Sequence, residues 1–277
     1  MSATHNPISV VFLHGMFGAP ENWRAAMDAL SPQCEVHAPF LPVFHTPSHR
    51  EPVEFLVQVA RDYLRAAQIQ QAVLVGNSLG GHIALKLALL EPERVAGLVL
   101  SGSSGLFERG LEKNVPRRPS REWLRQKAAQ VFFDERHVTE QVVDDIAAIV
   151  YDRGSALQLL RLAQSAKRDN LAASLPQVKV PTLLMWGEND QITPLETAWQ
   201  FYELLPDSKL ETVPCCGHAA MLEQPEHFNR LLAAFVWSLV PSRKVLSIPR
   251  GTEQEEARAH AREDHKMPAE IREIAAA

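Results

Sequence analysis

The sequence Ala72-Val-Leu-Val-Gly-Asn-Ser-Leu-Gly-Gly81, which continues as an apolar segment to Leu90, gives the clearest indication of the fold. The run 72–75 predicts a buried strand, and the segment 79–90 predicts a helix that starts soon after it. Gly76 and Gly80 flank Ser78 where the strand and the helix approach each other, so side chains at those positions would clash. The sequence therefore predicts a sharp strand–turn–helix unit that exposes Ser78 at the edge of a sheet.

Strands and helices alternate on both sides of this unit. Further strands are predicted at 8–13, 35–38, 95–100, 180–186 and 209–213, and further helices at 20–30, 194–205, 225–240 and up to about residue 67. Such alternation predicts a parallel sheet with helices on both of its faces. Ligands bind at the carboxyl edge of such a sheet, where the chain leaves each strand.

The alternation stops between residues 107 and 175. Three helical patterns occur there, over 123–133, 139–151 and 155–166, with Ser120 and Thr139 as candidate N-caps. This block predicts a helical cap over the carboxyl edge of the sheet. We therefore expect a core of residues 1–106 and 176–240, a cap of residues 107–175, and a flexible tail of residues 241–277.

The composition is that of a globular chain. The 277 residues include 28 Lys and Arg against 33 Asp and Glu, a net charge of −5, and 46% of them are hydrophobic. These values exclude a disordered chain, a collagen and a coiled coil, and they argue against a strongly basic nucleic-acid binder. The three cysteines make no disulfide framework, and the sequence shows neither a signal-peptide pattern nor a run of about 18 apolar residues. We expect a cytoplasmic protein that binds neither nucleic acid nor membrane, with its oligomeric state left open.

Ser78 is a candidate nucleophile, although its pentapeptide alone also fits an ordinary glycine-rich turn. A serine hydroxyl needs a base to become a nucleophile, and that base needs an acid to orient it. His218 lies in Cys215-Cys-Gly-His-Ala219, just after the last predicted strand, and Asp190 follows the strand before it. Glu188 is a rival acid, but it is closer to the end of its strand than Asp190. We expect Ser78, Asp190 and His218 to meet at the carboxyl edge of the sheet as a catalytic triad.

The sequence resembles the α/β-hydrolase superfamily over about residues 8–240. Four features match in order, each after a predicted strand: His14-Gly15, Gly76-Asn-Ser-Leu-Gly-Gly81, Gly187-x-x-Asp190 and Gly217-His218. The sequence is most similar to the capped bacterial branch that contains esterases, meta-cleavage-product C–C hydrolases and cofactor-free haloperoxidases. The resemblance implies an α/β-hydrolase fold of about six mainly parallel strands with an inserted cap. Because the first predicted strand starts at Ile8, we expect the hairpin that commonly precedes it in the family to be missing.

The resemblance also implies an oxyanion hole made from two backbone N–H groups. One belongs to Met16, in the loop His14-Gly15-Met16-Phe17-Gly18 after the first strand, and the other to Leu79, next to the nucleophile. His14 itself is expected to stabilise this turn rather than to catalyse. Phe17 and Met221 are expected to bind the substrate, because they adjoin the oxyanion loop and the catalytic histidine. No cofactor and no metal ion are expected.

The expected function is hydrolysis of a small-molecule carboxylic ester by a serine hydrolase. Ser78 stands where haloalkane dehalogenases and epoxide hydrolases of the same superfamily carry aspartate. A C–C hydrolase of meta-cleavage-type products is an alternative, but those enzymes typically carry a tryptophan after the catalytic histidine, where this chain has Ala219. That alternative also needs a cation for the substrate carboxylate, for which Arg161 or Arg168 is a candidate. A further alternative is a ligand-binding protein that keeps the fold without catalysis.

A basic segment lies within the predicted cap. Residues 109–127 hold seven basic and two acidic side chains, a net charge of +5 in a chain of net −5. The segment could steer anionic substrates toward the site. Because charge runs are usually solvated helix faces, we favour a solvated face.

Overall fold

The computed structural model describes residues 8–106, 116 and 118–239, all within the unit Met1–Leu239. The tail expected at 241–277, and residues 107–115 and 117 of the expected cap, lie outside the described residues. The strands are β1 (Ile8–Leu13), β2 (Cys34–His37), β3 (Ala72–Asn77), β4 (Val95–Ser101), β5 (Thr182–Gly187) and β6 (Ser208–Val213). The α-helices are α1 (Arg24–Leu30), α2 (Pro52–Ala66), α3 (Leu79–Leu90), α4 (Arg121–Ala129), α5 (Glu140–Tyr151), α6 (Arg153–Arg168), α7 (Leu195–Leu204), α8 (Ala220–Glu223) and α9 (Pro225–Ser238). Short 3-10 turns lie at Pro20–Trp23, Pro92–Arg94, Glu135–His137 and Leu175–Gln177.

The six strands form one sheet in the order β2-β1-β3-β4-β5-β6, and each neighbouring pair is parallel. This confirms the expected sheet of about six mainly parallel strands. Strand β2 lies on one side of β1 and strand β3 on the other, so the strand order reverses at β1. Leu13 of β1 pairs with Gly76 of β3, so the loops that follow these two strands leave the sheet side by side. Open α/β sheets bind ligands in the crevice at such a reversal.

Apolar side chains cover the sheet, and β3 is buried along its whole length. On one face Trp23 packs between Phe12 and Phe228, with ring centroids 5.2 and 6.0 Å away. The same core cluster includes Cys216 and Met221, which flank His218 in the chain. The loop that carries His218 is therefore built on the main hydrophobic core.

Helices α4, α5 and α6 lie between β4 and β5, where the helical cap is expected, and we call residues 118–168 the insert. The insert has a small apolar core of its own between α4 and α5. The Ser120 hydroxyl accepts a hydrogen bond from Trp123 N–H, and the Thr139 hydroxyl accepts one from Val142 N–H. Both predicted N-caps are thus confirmed.

Helix α4 ends at Ala129, four residues before the end of the predicted helical pattern. The backbone turns at Gln130, and the carbonyl of Val131 then accepts a hydrogen bond of 2.8 Å from His218 N–H. The predicted boundary at 133 is wrong: after Ala129 the chain leaves the helix, and its backbone contacts the loop of His218, a distant segment that helical periodicity does not encode.

Two cations of the basic segment are paired within the insert. Arg121 of α4 forms ion pairs with Glu140 and Asp144 of α5, and Arg125 of α4 forms one with Glu140. Both carboxylates are more than half exposed, at 71% and 54% of their side-chain surface. The charge of α4 is therefore matched locally, which supports the interpretation of this helix as a solvated face.

We expect Gly80→Ala to lower the free energy of unfolding by about 3 kcal/mol or more. An ideal Cβ at Gly80 would lie 2.0 Å from the carbonyl oxygen of Leu13 and 2.5 Å from its carbonyl carbon. Because both are backbone atoms of β1, α3 and β1 would have to move apart. Urea unfolding measures the change. Gly154→Ala is the matched control, since a Cβ there meets only the Asp152 side chain, at 3.3 Å. Equal losses in the two variants would contradict this explanation.

Candidate active site

Ser78 occupies the turn between β3 and α3 with φ 53° and ψ −120°. A residue other than glycine is strained there, typically by about 1–3 kcal/mol. The Ser78 N–H donates to the carbonyl of Ser101 at 3.1 Å. The Ser78 carbonyl accepts from the N–H groups of Gly81, His82 and Ser104, at 3.0, 3.2 and 3.1 Å. The strained turn is therefore held by both α3 and the segment that follows β4.

Glycines surround Ser78 where backbone segments approach closely, as predicted. An ideal Cβ at Gly76 would lie 2.4 Å from the carbonyl of Gly80. An ideal Cβ at Gly15, in the loop after β1, would lie 3.4 Å from the Cβ of Ser78. The loop after β1 therefore lies directly beside the candidate nucleophile.

His218 and Asp190 form a buried pair at the same edge of the sheet. The Nδ1–H of His218 donates to Asp190 Oδ2 at 2.8 Å, and the two residues are 7% and 6% exposed. Glu188, the rival acid, is exposed and accepts a hydrogen bond of 3.1 Å from the Thr212 hydroxyl instead. The structure thus brings Asp190, and not Glu188, to the imidazole. Because Nδ1 bonds the carboxylate, Nε2 is the nitrogen that would act as a base toward Ser78.

Asn77 joins the turn of the candidate nucleophile to the histidine loop. Its Nδ2 donates to the carbonyl of Ser101 and to the carbonyl of His218, both at 3.0 Å. Gly102 leaves room for the pair, since an ideal Cβ there would lie 2.8 Å from His218 Nδ1 and 3.0 Å from Asp190 Oδ2. The loops of all three predicted triad residues therefore meet at the end of β4.

Thr193 is a part of the site that the sequence analysis missed. Its hydroxyl donates to Asp190 Oδ2 at 2.9 Å and lies 3.3 Å from His218 Nδ1. The N–H groups of Ile192 and Thr193 donate to Asp190 Oδ1 at 2.8 and 2.9 Å. Three donors besides the histidine thus hold the carboxylate. The signal in the sequence was the spacing Asp190-x-x-Thr193, because aspartate often bonds backbone N–H groups just after it.

His14 uses both ring nitrogens to hold the loop after β1. Its Nδ1–H donates to the Gly15 carbonyl at 2.8 Å, and its Nε2 accepts from Leu41 N–H at 3.0 Å. Burial lowers the pKa of the imidazole below its ordinary value, which favours the neutral ring that this pattern requires. These bonds support the predicted turn-stabilising role.

Of the two predicted oxyanion donors, Met16 lies in the loop beside the serine turn, and Leu79 directly follows Ser78 in the chain. Met16 is half-buried in the loop after β1, next to Gly15. Leu79 is the first residue of α3. The first N–H groups of a helix have no acceptor within it and carry the positive end of the helix dipole. The start of α3 at Ser78 therefore favours negative charge beside this residue.

The two predicted substrate residues differ in exposure. Phe17 is 51% exposed, and its ring centroid lies 6.1 Å from that of Phe44. Met221 is only 6% exposed and packs in the main core cluster. The exposed ring of Phe17 is thus the better placed of the two to meet a ligand.

Arg161 and Arg168, the candidate cations for a substrate carboxylate, both have partners in the segment before α2. Arg161 donates to the carbonyls of Ser48 and Arg50, each at 3.1 Å. Arg168 donates to the Glu51 carboxylate at 3.1 Å. Both side chains join α6 of the insert to the segment between β2 and α2.

Neither a metal centre nor a membrane span is found in the ranges that the structure describes. Across residues 8–106 and 118–239, His, Cys, Asp and Glu side chains do not gather in groups of three that could hold a metal ion. Over the same ranges, no helix has the length and apolar character needed to cross a bilayer.

Comparisons with known proteins agree with the fold described above. Residues 10–231 match the model of the α/β hydrolase family. The uncharacterised hydrolase YugF of Bacillus subtilis is 27% identical over 82% of this chain and 89% of its own. The 2-hydroxymuconate semialdehyde hydrolase of Pseudomonas sp. strain CF600 is 30% identical over 78% of this chain and 81% of its own. The crystal structure of an α/β hydrolase from a sediment metagenome of the Mar Chica lagoon has 33% identity and a TM-score of 0.68, covering 84% of this chain and 91% of its own. The chain belongs to the α/β hydrolase family.

Proposed function

We propose that the chain is a serine hydrolase that cleaves a small carboxylic ester through Ser78, His218 and Asp190. The observation that carries the proposal is the buried 2.8 Å bond between His218 and Asp190, which Asn77 links to the strained turn of Ser78. A histidine oriented by a buried carboxylate is the arrangement that activates a serine hydroxyl. A protein that only bound a ligand would have no use for it, which argues against the non-catalytic alternative.

In the acylation step, Ser78 Oγ attacks the ester carbonyl carbon while His218 Nε2 takes the hydroxyl proton. Asp190 holds the imidazole by Nδ1–H and stabilises the imidazolium that forms. The carbonyl oxygen becomes an oxyanion, for which the N–H groups of Met16 and Leu79 are the proposed donors. The tetrahedral intermediate collapses, the bond to the alcohol oxygen breaks, and His218 gives its proton to the leaving alcohol. The product is an ester between the acyl group and Ser78.

In the second step, water hydrolyses this acyl-enzyme. His218 Nε2 removes a proton from the water as its oxygen attacks the acyl carbon, and the oxyanion returns to the same two N–H donors. The intermediate then breaks its bond to Ser78, which regains its proton from His218. The carboxylic acid leaves, and the enzyme returns to its starting state without a cofactor.

We further propose that the insert covers this site as the cap expected at 107–175, above a core of residues 1–106 and 176–240. Its segment after α4 contacts the loop of His218, where the carbonyl of Val131 accepts from the histidine N–H. Arg161 fixes the other end of the insert to the segment before α2. Phe17, exposed in the proposed oxyanion loop, is the proposed contact for the substrate.

We expect Thr193→Val to lower kcat/KM about tenfold while the fold persists. Valine keeps the shape of threonine but lacks the hydroxyl, so the Asp190 carboxylate loses one of its donors and orients His218 less firmly. Hydrolysis of a p-nitrophenyl ester measures the effect. The control is Thr212→Val, which removes only the bond to Glu188 and should retain wild-type activity. Unchanged kcat/KM in Thr193→Val would show that Asp190 does not need this support.

C–C bond hydrolysis of meta-cleavage-type products is the second candidate. It is favoured by the name of the Pseudomonas relative, a 2-hydroxymuconate semialdehyde hydrolase. The contacts of the proposed cations argue against it, because Arg161 bonds backbone carbonyls and Arg168 bonds Glu51. Recruiting either guanidinium for a substrate carboxylate would break these bonds.

A substrate panel separates the two candidates. The p-nitrophenyl esters of acetate, butyrate, octanoate and laurate are assayed beside a ring-fission product of the dienoate type. The proposal predicts that one or more esters give a kcat/KM well above that of the ring-fission product. A clear preference for the ring-fission product would establish the C–C hydrolase instead, and inactivity on both classes would contradict both candidates.

A further inference from the structure

Glu223, at the end of α8, lies outside the proposed triad but bonds the loop of its histidine. Its Oε1 accepts from the N–H of Gly217 at 2.8 Å. Its Oε2 accepts from the N–H groups of Phe133 and Asp134, at 2.7 and 3.2 Å. One carboxylate therefore joins the residue before His218 to the segment of the insert that follows α4.

These two segments also touch directly. His218 N–H donates to the Val131 carbonyl at 2.8 Å. An ideal Cβ at Gly217 would lie 2.6 Å from the Val131 oxygen, 2.9 Å from the Phe133 nitrogen and 3.0 Å from the Phe132 carbonyl carbon. The insert and the histidine loop are thus in backbone contact, and Glu223 bonds both.

The carboxylate suits this position for a physical reason. Phe133 and Asp134 follow a helix that has already ended, so their N–H groups have no helical ladder to join. A charged acceptor forms stronger hydrogen bonds to N–H groups than a neutral one. Its two oxygens can also serve two segments at once, whereas a glutamine side chain has only one acceptor oxygen. Loss of the carboxylate would leave donors unpaired on both sides of the contact.

We propose that Glu223 is a positioning residue that fixes the backbone of the His218 loop against the insert and thereby orients the imidazole. Asp190 holds the ring of His218, and the Val131 carbonyl holds its backbone N–H. Glu223 keeps the bond between His218 N–H and the Val131 carbonyl in place. It does so by bonding Gly217 in the histidine loop and Phe133 in the insert. This inference rests on the proposed function, since it concerns the activity of the same site.

The test compares Glu223→Gln and Glu223→Ala with the wild type. Glu226→Gln is the matched control, because it makes the same change at an exposed glutamate three residues further along the chain. At a temperature where circular dichroism shows every variant folded, we expect kcat on the best ester to fall about tenfold in Glu223→Gln and further in Glu223→Ala. The rate at which a fluorophosphonate labels Ser78 should fall in the same proportion. Amide hydrogen exchange at Phe133, Asp134 and Gly217 should accelerate, while Glu226→Gln should match the wild type in all three readouts.

A purely structural role for Glu223 would lower the melting temperature but leave kcat and the labelling rate of the folded variants unchanged, and that result would overturn the proposal. If the wild type hydrolyses no ester, the proposed substrate class is wrong, and the labelling rates still decide the role of Glu223. If Ser78 is not labelled at all, the proposed function fails by itself. Amide exchange then decides: faster exchange in Glu223→Gln supports the link between the two segments, and unchanged exchange overturns it.

Discussion

Replacing Ser78 by alanine is expected to abolish ester hydrolysis, with kcat reduced by roughly 10⁵-fold or more. Alanine has no hydroxyl group to attack the carbonyl, so no acyl-enzyme forms, and the oxyanion donors alone support only weak residual catalysis. The turn should persist, because the bonds that hold it run through the backbone N–H and carbonyl of residue 78. Steady-state assay of a p-nitrophenyl ester measures the loss, and circular dichroism confirms the fold.

Ser238→Ala is the matched control for this prediction. Ser238 is an exposed serine at the end of α9, and its hydroxyl bonds only the carbonyl of Phe235 among the hydrogen bonds described. Wild-type activity is expected in this variant. If Ser78→Ala kept a substantial part of the activity, the nucleophile would be a different group and the proposed mechanism would be wrong.

Asp190→Asn is expected to lower kcat by about 10⁴-fold with little change in the fold. The asparagine oxygen can still accept from Ile192 and Thr193 N–H, which places the amide nitrogen toward His218. An NH₂ group there donates to Nδ1 and forces the proton of the neutral imidazole onto Nε2. His218 then cannot accept the proton of Ser78, although every residue keeps its place.

Glu188→Gln separates this explanation from the rival assignment of the acid. Glu188 lies just after the same strand as Asp190 but is exposed and bonds Thr212. Wild-type kcat is expected for Glu188→Gln in the same p-nitrophenyl ester assay. If Glu188→Gln lost activity and Asp190→Asn kept it, the catalytic acid would be Glu188, and the 2.8 Å bond of Asp190 to the histidine would have a structural role only.

The sheet, and the position of Ser78, Asp190 and His218 at one edge of it, could be predicted because their signals are local. Gly76 and Gly80 mark the turn around Ser78, and each of the other two residues follows the end of an apolar strand. In a parallel sheet the carboxyl ends of all strands lie at one edge, so Ser78, Asp190 and His218 share that edge whatever the details of packing. The bond between Asp190 and His218 then requires only loops of suitable length.

Contacts between distant segments could not be predicted in this way. Glu223 bonds a backbone N–H of Phe133, 90 residues away in sequence, and no periodicity or spacing marks such a pair. The early end of α4 was equally hidden, because the residues that follow it contact the distant loop of His218. The partners of Arg161 could not be predicted either. Its guanidinium bonds backbone carbonyls, which every residue type carries, so the sequence does not mark them. These contacts define how the insert meets the core, and only the structure shows them.

The proposed mechanism depends above all on His218, oriented by Asp190, making Ser78 a nucleophile. The most direct test is to treat the wild-type protein with a fluorophosphonate, digest it, and locate the adduct by mass spectrometry. A single adduct on Ser78 is expected, formed with loss of fluoride, at a rate that falls sharply in Asp190→Asn. No adduct, or an adduct on the neighbouring Ser103 or Ser104 instead, would show that Ser78 is not the nucleophile.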